Sequence, residues 1–137
     1  MNPNGKVPAI VDHDAKDGAL TLSESNAILV TSLAEKTGAS PRTRGPRARR
    51  DLQWLMFQTS SIGPTFHDAY YFMALAKDRL PPAIDYFMTE TTRVLTLLDT
   101  HLATHDFLAD RYSIADIATL PLDPRRHRRK LPRHGRL

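Results

Sequence analysis

From about Arg47 to about Ala103 the chain places apolar side chains at spacings of three and four residues, with breaks at Gly63-Pro64 and Pro81-Pro82. A stripe of this kind must be buried against other elements, so it commits this stretch to a bundle of packed helices. Leu52, Leu55, Met56, Phe57, Phe66, Tyr70, Phe72 and Met73 mark the first run, which extends to about Lys77. Gly63-Pro64 predicts a kink within it, because a proline removes one helix hydrogen bond and clashes with the preceding turn. Pro81 and Pro82 suit the first turn of a second helix. That helix is expected over Ala83 to about Ala103, with Ile84, Phe87, Met88, Val94, Leu95, Leu98 and Leu102 on its stripe.

The chain before the bundle reads differently. "VPAIVD" and "ALTL" are short β-type runs around the polar turn "HDAKDG", which predicts a hairpin. "ESNAILVTSLAEKTG" follows, with Ala27, Ile28, Val30 (or Thr31) and Ala34 at helical spacing and Gly38 as a stop. Ser23 suits the N-cap, with Glu24 in the first turn. "ASPRTRGPRARR" has two prolines, one glycine and five arginines without apolar periodicity, and reads as a linker. After the second long helix, Ser113-x-x-Asp116 has the spacing of a capping box, with Tyr112 and Ile117 placed for a hydrophobic staple.

Bulk composition narrows the function classes. The 137 residues are 41% apolar and 25% charged, as in a globular protein, and contain no cysteine, which excludes disulfides and thiolate chemistry within this chain. No apolar run approaches the roughly 18 residues of a membrane helix, and "MNPNGKVPAIVDHD" lacks the layout of a signal peptide. The expectation is a cytoplasmic protein. The net charge is +4, but the last fifteen residues, "DPRRHRRKLPRHGRL", alone carry +6, which leaves the first 122 at −2. The basicity is therefore that of a tail with nonspecific polyanion affinity, and no specific nucleic-acid or membrane partner is expected.

"NPNGKVPAIVD", "LTLSESNAILVTSLAEKTG", "LQWLMFQTSSIGPTF" and "FLADRYSIADIA" occur in this order and together resemble a cytosolic glutathione S-transferase of the bacterial Nu-like, theta/beta-like groups, over Asn2 to about Pro121. The resemblance implies an α/β plus all-α fold: a partial thioredoxin-like domain (β-hairpin plus helix) over residues 1–38, a linker over 39–47, an incomplete helical C-terminal domain over 48–122 and a disordered basic tail over 123–137. It implies glutathione as cosubstrate, a small electrophile or a disulfide as second substrate, and a homodimer. It implies a cis bond before Pro8, with the Val7 backbone pairing with the cysteinyl backbone of glutathione. It gives Glu24 and Ser25 the γ-glutamyl end of the ligand, a carboxylate for its ammonium group and a hydroxyl for its carboxylate. Lys6 either faces the glycyl carboxylate or is a solvated lysine.

The family carries an earlier βαβ unit before "NPNGKVPAI" and continues the helix after "SIADIA". The expectation is therefore a chain truncated, or truncated and frameshifted, at its ends, of reduced or no activity, without an assigned catalytic residue. A non-catalytic helical dimerisation or interaction module is the alternative. His101-x-x-x-His105 has helical metal-site spacing, but two histidines near a helix C-terminus more often face the dipole, and no metal is expected. Tyr70 is a candidate wall of an acceptor pocket, while Phe66, Phe72 and Met73 are expected in the core. His13 and His67 are expected in solvated turns.

Overall fold

The computed structural model describes residues 2–37 and 45–120. Most of the expected linker, and the tail over 123–137, lie outside the described residues.

The hairpin forms where the two short β-type runs predict it. Strand β1, Ala9–Asp12, pairs antiparallel with β2, Leu20–Ser23. The register sets Ala9 opposite Ser23, Ile10 opposite Leu22, and Asp12 opposite Leu20. The loop between them closes on an Asx-type turn, in which Asp14 N–H donates to Asp12 Oδ1 at 3.1 Å. Gly18, at φ 103°, supplies the left-handed conformation that a side chain would disfavour.

A helical stretch follows directly. It comprises α1, Ser25–Ile28, a π-helical turn, Leu29–Leu33, and α2, Ala34–Thr37. The bundle then contains α3, Pro46–Phe57, and α4, Gly63–Tyr70, joined by a π turn, Gln58–Ile62. A further π turn, Tyr71–Leu75, ends that arm. Helix α5 spans Pro81–Leu102 and opens on two prolines, and α6 spans Ile114–Thr119.

The expected kink at Gly63-Pro64 takes a specific form. Pro64 has no N–H to donate into the preceding turn, and the chain answers with the wider Gln58–Ile62 turn, after which Gly63 resumes helical angles (φ −58°, ψ −58°). The second π turn has a cost for pattern reading. A wide turn advances each side chain by a smaller angle, so a stripe read at 3.6 residues per turn loses phase there. Phe72 remains half-buried and stacks on Phe87 at 5.4 Å, whereas Met73, expected in the core, is 59% exposed. His67 also departs from expectation: it is exposed, but on α4 rather than in a turn.

Among the described residues two clusters form the core. Ile62, Val94, Leu98, Leu108 and Ala115 make one, with Trp54, Phe57, Phe66 and Leu102 around it. Leu55 and Ile114, both sealed from solvent, make the other, and Leu29, Val30, Leu52 and Ala118 pack on them. This second cluster joins the hairpin's helix to the bundle. Burial of one such leucine is worth about 1.5–3 kcal/mol.

Helix α6 is held by its capping box. Ser113 Oγ accepts from Ala115 N–H at 3.2 Å, and Ser113 N–H donates to Asp116 Oδ2 at 2.9 Å. The other carboxylate oxygen, Oδ1, takes the Leu108 N–H at 2.9 Å, so one aspartate fixes both the helix start and the loop before it. Tyr112 turns its ring edge-on to Phe107 at 5.8 Å and is 53% exposed.

Candidate functional site

The hairpin register decides which of the singled-out residues meet. Ala9 pairs with Ser23, so Pro8 and Glu24, the next residues outward, flank the same end of the ladder. Cα atoms of paired residues lie about 4.5–5.5 Å apart across an antiparallel ladder. Val7-Pro8 and Glu24-Ser25 are therefore brought together at the end of the hairpin away from its loop. The Val7–Pro8 peptide bond is cis. Val7 is 93% exposed, an unusual placement for a branched apolar residue.

Glu24, rather than Ser23, is the N-cap of α1. It sits at φ 72°, ψ 115°, and its side chain makes no cap hydrogen bond. Its carbonyl accepts the first helical bond, from Ile28 N–H at 3.0 Å. A positive φ in a residue with a Cβ is uncommon, and such outliers concentrate at ligand clamps and active sites. The result is an exposed carboxylate that serves no local bond, followed at once by an exposed Ser25 hydroxyl in the first helical turn. Lys6 is exposed on the segment leading to Val7. Its carbonyl accepts from Asn2 Nδ2 at 2.6 Å, which ties down the loop before the strand.

Asn26 went unnoticed in the sequence. Its side-chain amide donates to Gln58 Oε1 at 2.6 Å and to Thr59 Oγ1 at 2.5 Å, joining α1 to the π turn of the bundle. No local pattern signals a bond between residues 32 positions apart.

Other polar features lie apart from this end. A cleft of about 530 Å³ at the loop end of the hairpin is lined by Asp12, Asp14, Lys16, Ser32 and Lys36, among others. Lys36 Nζ reaches Asp12 Oδ1 at 2.5 Å and Asp14 Oδ2 at 3.6 Å. The lysine's hydrogen bond holds the Asp12 carboxyl below its usual range, and the same bond raises Lys36. His101 and His105 stack at 4.2 Å, but the His101 ring is engaged by the Leu108 carbonyl at 2.9 Å and packs on Trp54. Among the described residues no group of three or more histidines, aspartates or glutamates is arranged for a metal ion. Nor is any described helix long and apolar enough to cross a membrane.

No family model matches the chain. Individual proteins do. The disulfide-bond oxidoreductase YfcG of Escherichia coli is 43% identical over 126 residues, covering 88% of this chain and 57% of that protein. Glutathione S-transferase 2 of Schizosaccharomyces pombe is 34% identical over 126 residues, covering 88% of this chain and 54% of that protein. A crystal structure of a glutathione transferase from Burkholderia graminis, with two glutathione molecules bound per subunit, superposes with a TM-score of 0.81 at 40% identity, over 88% of this chain and 52% of that one.

This chain is a relative of the glutathione S-transferases.

It spans about half the length of the relatives it matches. Its two-stranded sheet and its helices superpose on solved glutathione transferases, whose fold has a thioredoxin-like N-terminal domain and a helical C-terminal domain. Glutathione or its disulfide occupies several of those structures.

Proposed function

We propose that the end of the hairpin formed by Val7-Pro8 and Glu24-Ser25 is the glutathione-binding part of a glutathione-dependent transferase or disulfide reductase. The observation that carries this reading is the ladder register, which sets an exposed, unpaired stretch of backbone beside a carboxylate and a hydroxyl free of local bonds. The two chemistries suit the two parts of one ligand. The N–H and C=O of Val7 can pair with the cysteinyl backbone of glutathione as an added strand would. The γ-glutamyl end bears an ammonium and a carboxylate. Glu24 accepts from the first, while the Ser25 hydroxyl donates to the second. Lys6 is assigned the glycyl carboxylate.

The same reading includes an electrophile or a disulfide as second substrate, a cytoplasmic setting and the Nu-like, theta/beta-like grouping. It divides the chain into a glutathione-binding part over 1–38, a linker over 39–47, a helical part over 48–122 and a basic tail over 123–137. No residue of this chain is assigned to stabilise the thiolate. A homodimer is also part of the proposal. It is supported by a ladder of rings across the Tyr71–Leu75 turn and α5, in which Tyr71 meets Phe72, Phe72 stacks on Phe87 and Phe87 meets Tyr86. Tyr71 and Tyr86 are 45% and 63% exposed at its two ends. Tyr70, 60% exposed on the same arm, is the proposed contact for an acceptor substrate. The ring ladder is equally the observation that favours a second reading, a helical interaction module without catalysis.

Calorimetric titration with glutathione separates the two. Saturable binding that Glu24→Ala and Ser25→Ala each weaken by about tenfold, the worth of one charge-assisted hydrogen bond, supports the glutathione site. A folded chain that gives no binding heat leaves the interaction module.

A further inference from the structure

We infer that Asn26 is a positioning residue for glutathione, a latch from the bundle that holds Glu24 and Ser25 in their ligand-binding geometry; this rests on the reading of the site given above. Glu24 has a backbone conformation that needs support from its surroundings, because φ 72° is unfavourable for a residue with a Cβ. Its own side chain supplies none. The nearest polar anchor along the chain is Asn26, half-buried one residue beyond Ser25.

The bonding of Asn26 suits a latch. A side-chain amide has two N–H donors, and here two acceptors receive them, Gln58 Oε1 at 2.6 Å and Thr59 Oγ1 at 2.5 Å. The Thr59 hydroxyl is itself oriented, since it donates to the Leu55 carbonyl at 3.0 Å. Leu55 is fully buried, and Ile62, at the far end of the same π turn, is also fully buried. The wide turn thus sits between two fully buried residues and presents consecutive side chains, Gln58 and Thr59, to one amide. Serine is too short to serve both, and alanine serves neither. The apolar contacts of Leu29 and Val30 on Leu55 and Ile114 hold the next turn of this helical stretch, but they do not fix the first turn, where the ligand groups stand.

The test is calorimetry on the full chain with two ligands, glutathione and cysteinylglycine, the second of which lacks the γ-glutamyl group. Asn26→Ala and Gln58→Ala are compared with the parent and with the double variant. The latch predicts that Asn26→Ala weakens glutathione by about tenfold, that Gln58→Ala weakens it less because the Thr59 bond remains, that the double variant is no weaker than Asn26→Ala, and that cysteinylglycine affinity is unchanged throughout. A general loosening of the fold would weaken both ligands alike and overturn the latch. Unchanged glutathione affinity in Asn26→Ala would also overturn it and leave the site standing. If the parent chain fails to bind glutathione, the site reading falls, and the latch falls with it.

Discussion

At φ 72°, Glu24 adopts a conformation that residue preferences argue against, and this is why its role as N-cap could not be read locally. Ser23 has the better capping chemistry and was the expected N-cap. The pair Glu24-Ser25 stood out only through the wider resemblance. By contrast, the Ser113/Asp116 box was plain from spacing alone, because both partners lie within one turn and the bonds depend on nothing distant. The ion pair of Asp12 and Lys36 belongs to this scale too. Its hydrogen bond depresses the Asp12 pKa, so that contribution is present above the unfolded value near 3.8 and is lost as pH falls through the lower folded value. Lys36 is raised, so its share is present below 10.5 and is lost as pH rises through the higher folded value. The stability difference between the parent and Asp12→Asn should therefore be constant between those limits and shrink beyond them, as followed by thermal unfolding across pH. A difference that persists unchanged to pH 2 would show that the pair contributes nothing.

At the scale of the elements, the strands and the long helices followed from periodicity, and Pro81-Pro82 marked a helix start correctly. The three π turns among the described residues did not, because apolar spacing marks a helical run but not where within it a turn widens, so the phase slips without a local signal. Only Pro64 betrayed one of them. Gly63 stands directly before that proline in helical angles, where the Pro64 ring crowds the Cβ of any other residue. A Cβ there would also meet the Gln58 carbonyl at 3.4 Å and its side-chain nitrogen at 3.5 Å, both ordinary contacts, so the proline ring is the obstacle. Gly63→Ala should thus destabilise the chain by about 1 kcal/mol in denaturant unfolding. Stabilisation would mean that the Pro64 ring tolerates a Cβ beside it and that only the backbone entropy of glycine counts.

At the scale of the molecule, the hairpin with its short helix is too small to be stable alone. Among the described residues, the Leu29/Val30 packing on Leu55 and Ile114 and the Asn26 amide on Gln58 and Thr59 tie it to the bundle. The apolar contact was partly foreseeable from the stripes. The polar one joins residues on opposite sides of the basic segment and exists only once the chain has folded. The central claim is that this supported end of the hairpin, rather than the cleft at its loop, receives glutathione. Backbone amide chemical shifts followed during a glutathione titration test it most directly. The account predicts saturable shifts centred on Val7, Glu24, Ser25 and Asn26, with residues 13–19 of the loop unmoved. Shifts centred on the loop and Lys36, or none at saturating ligand, would contradict it.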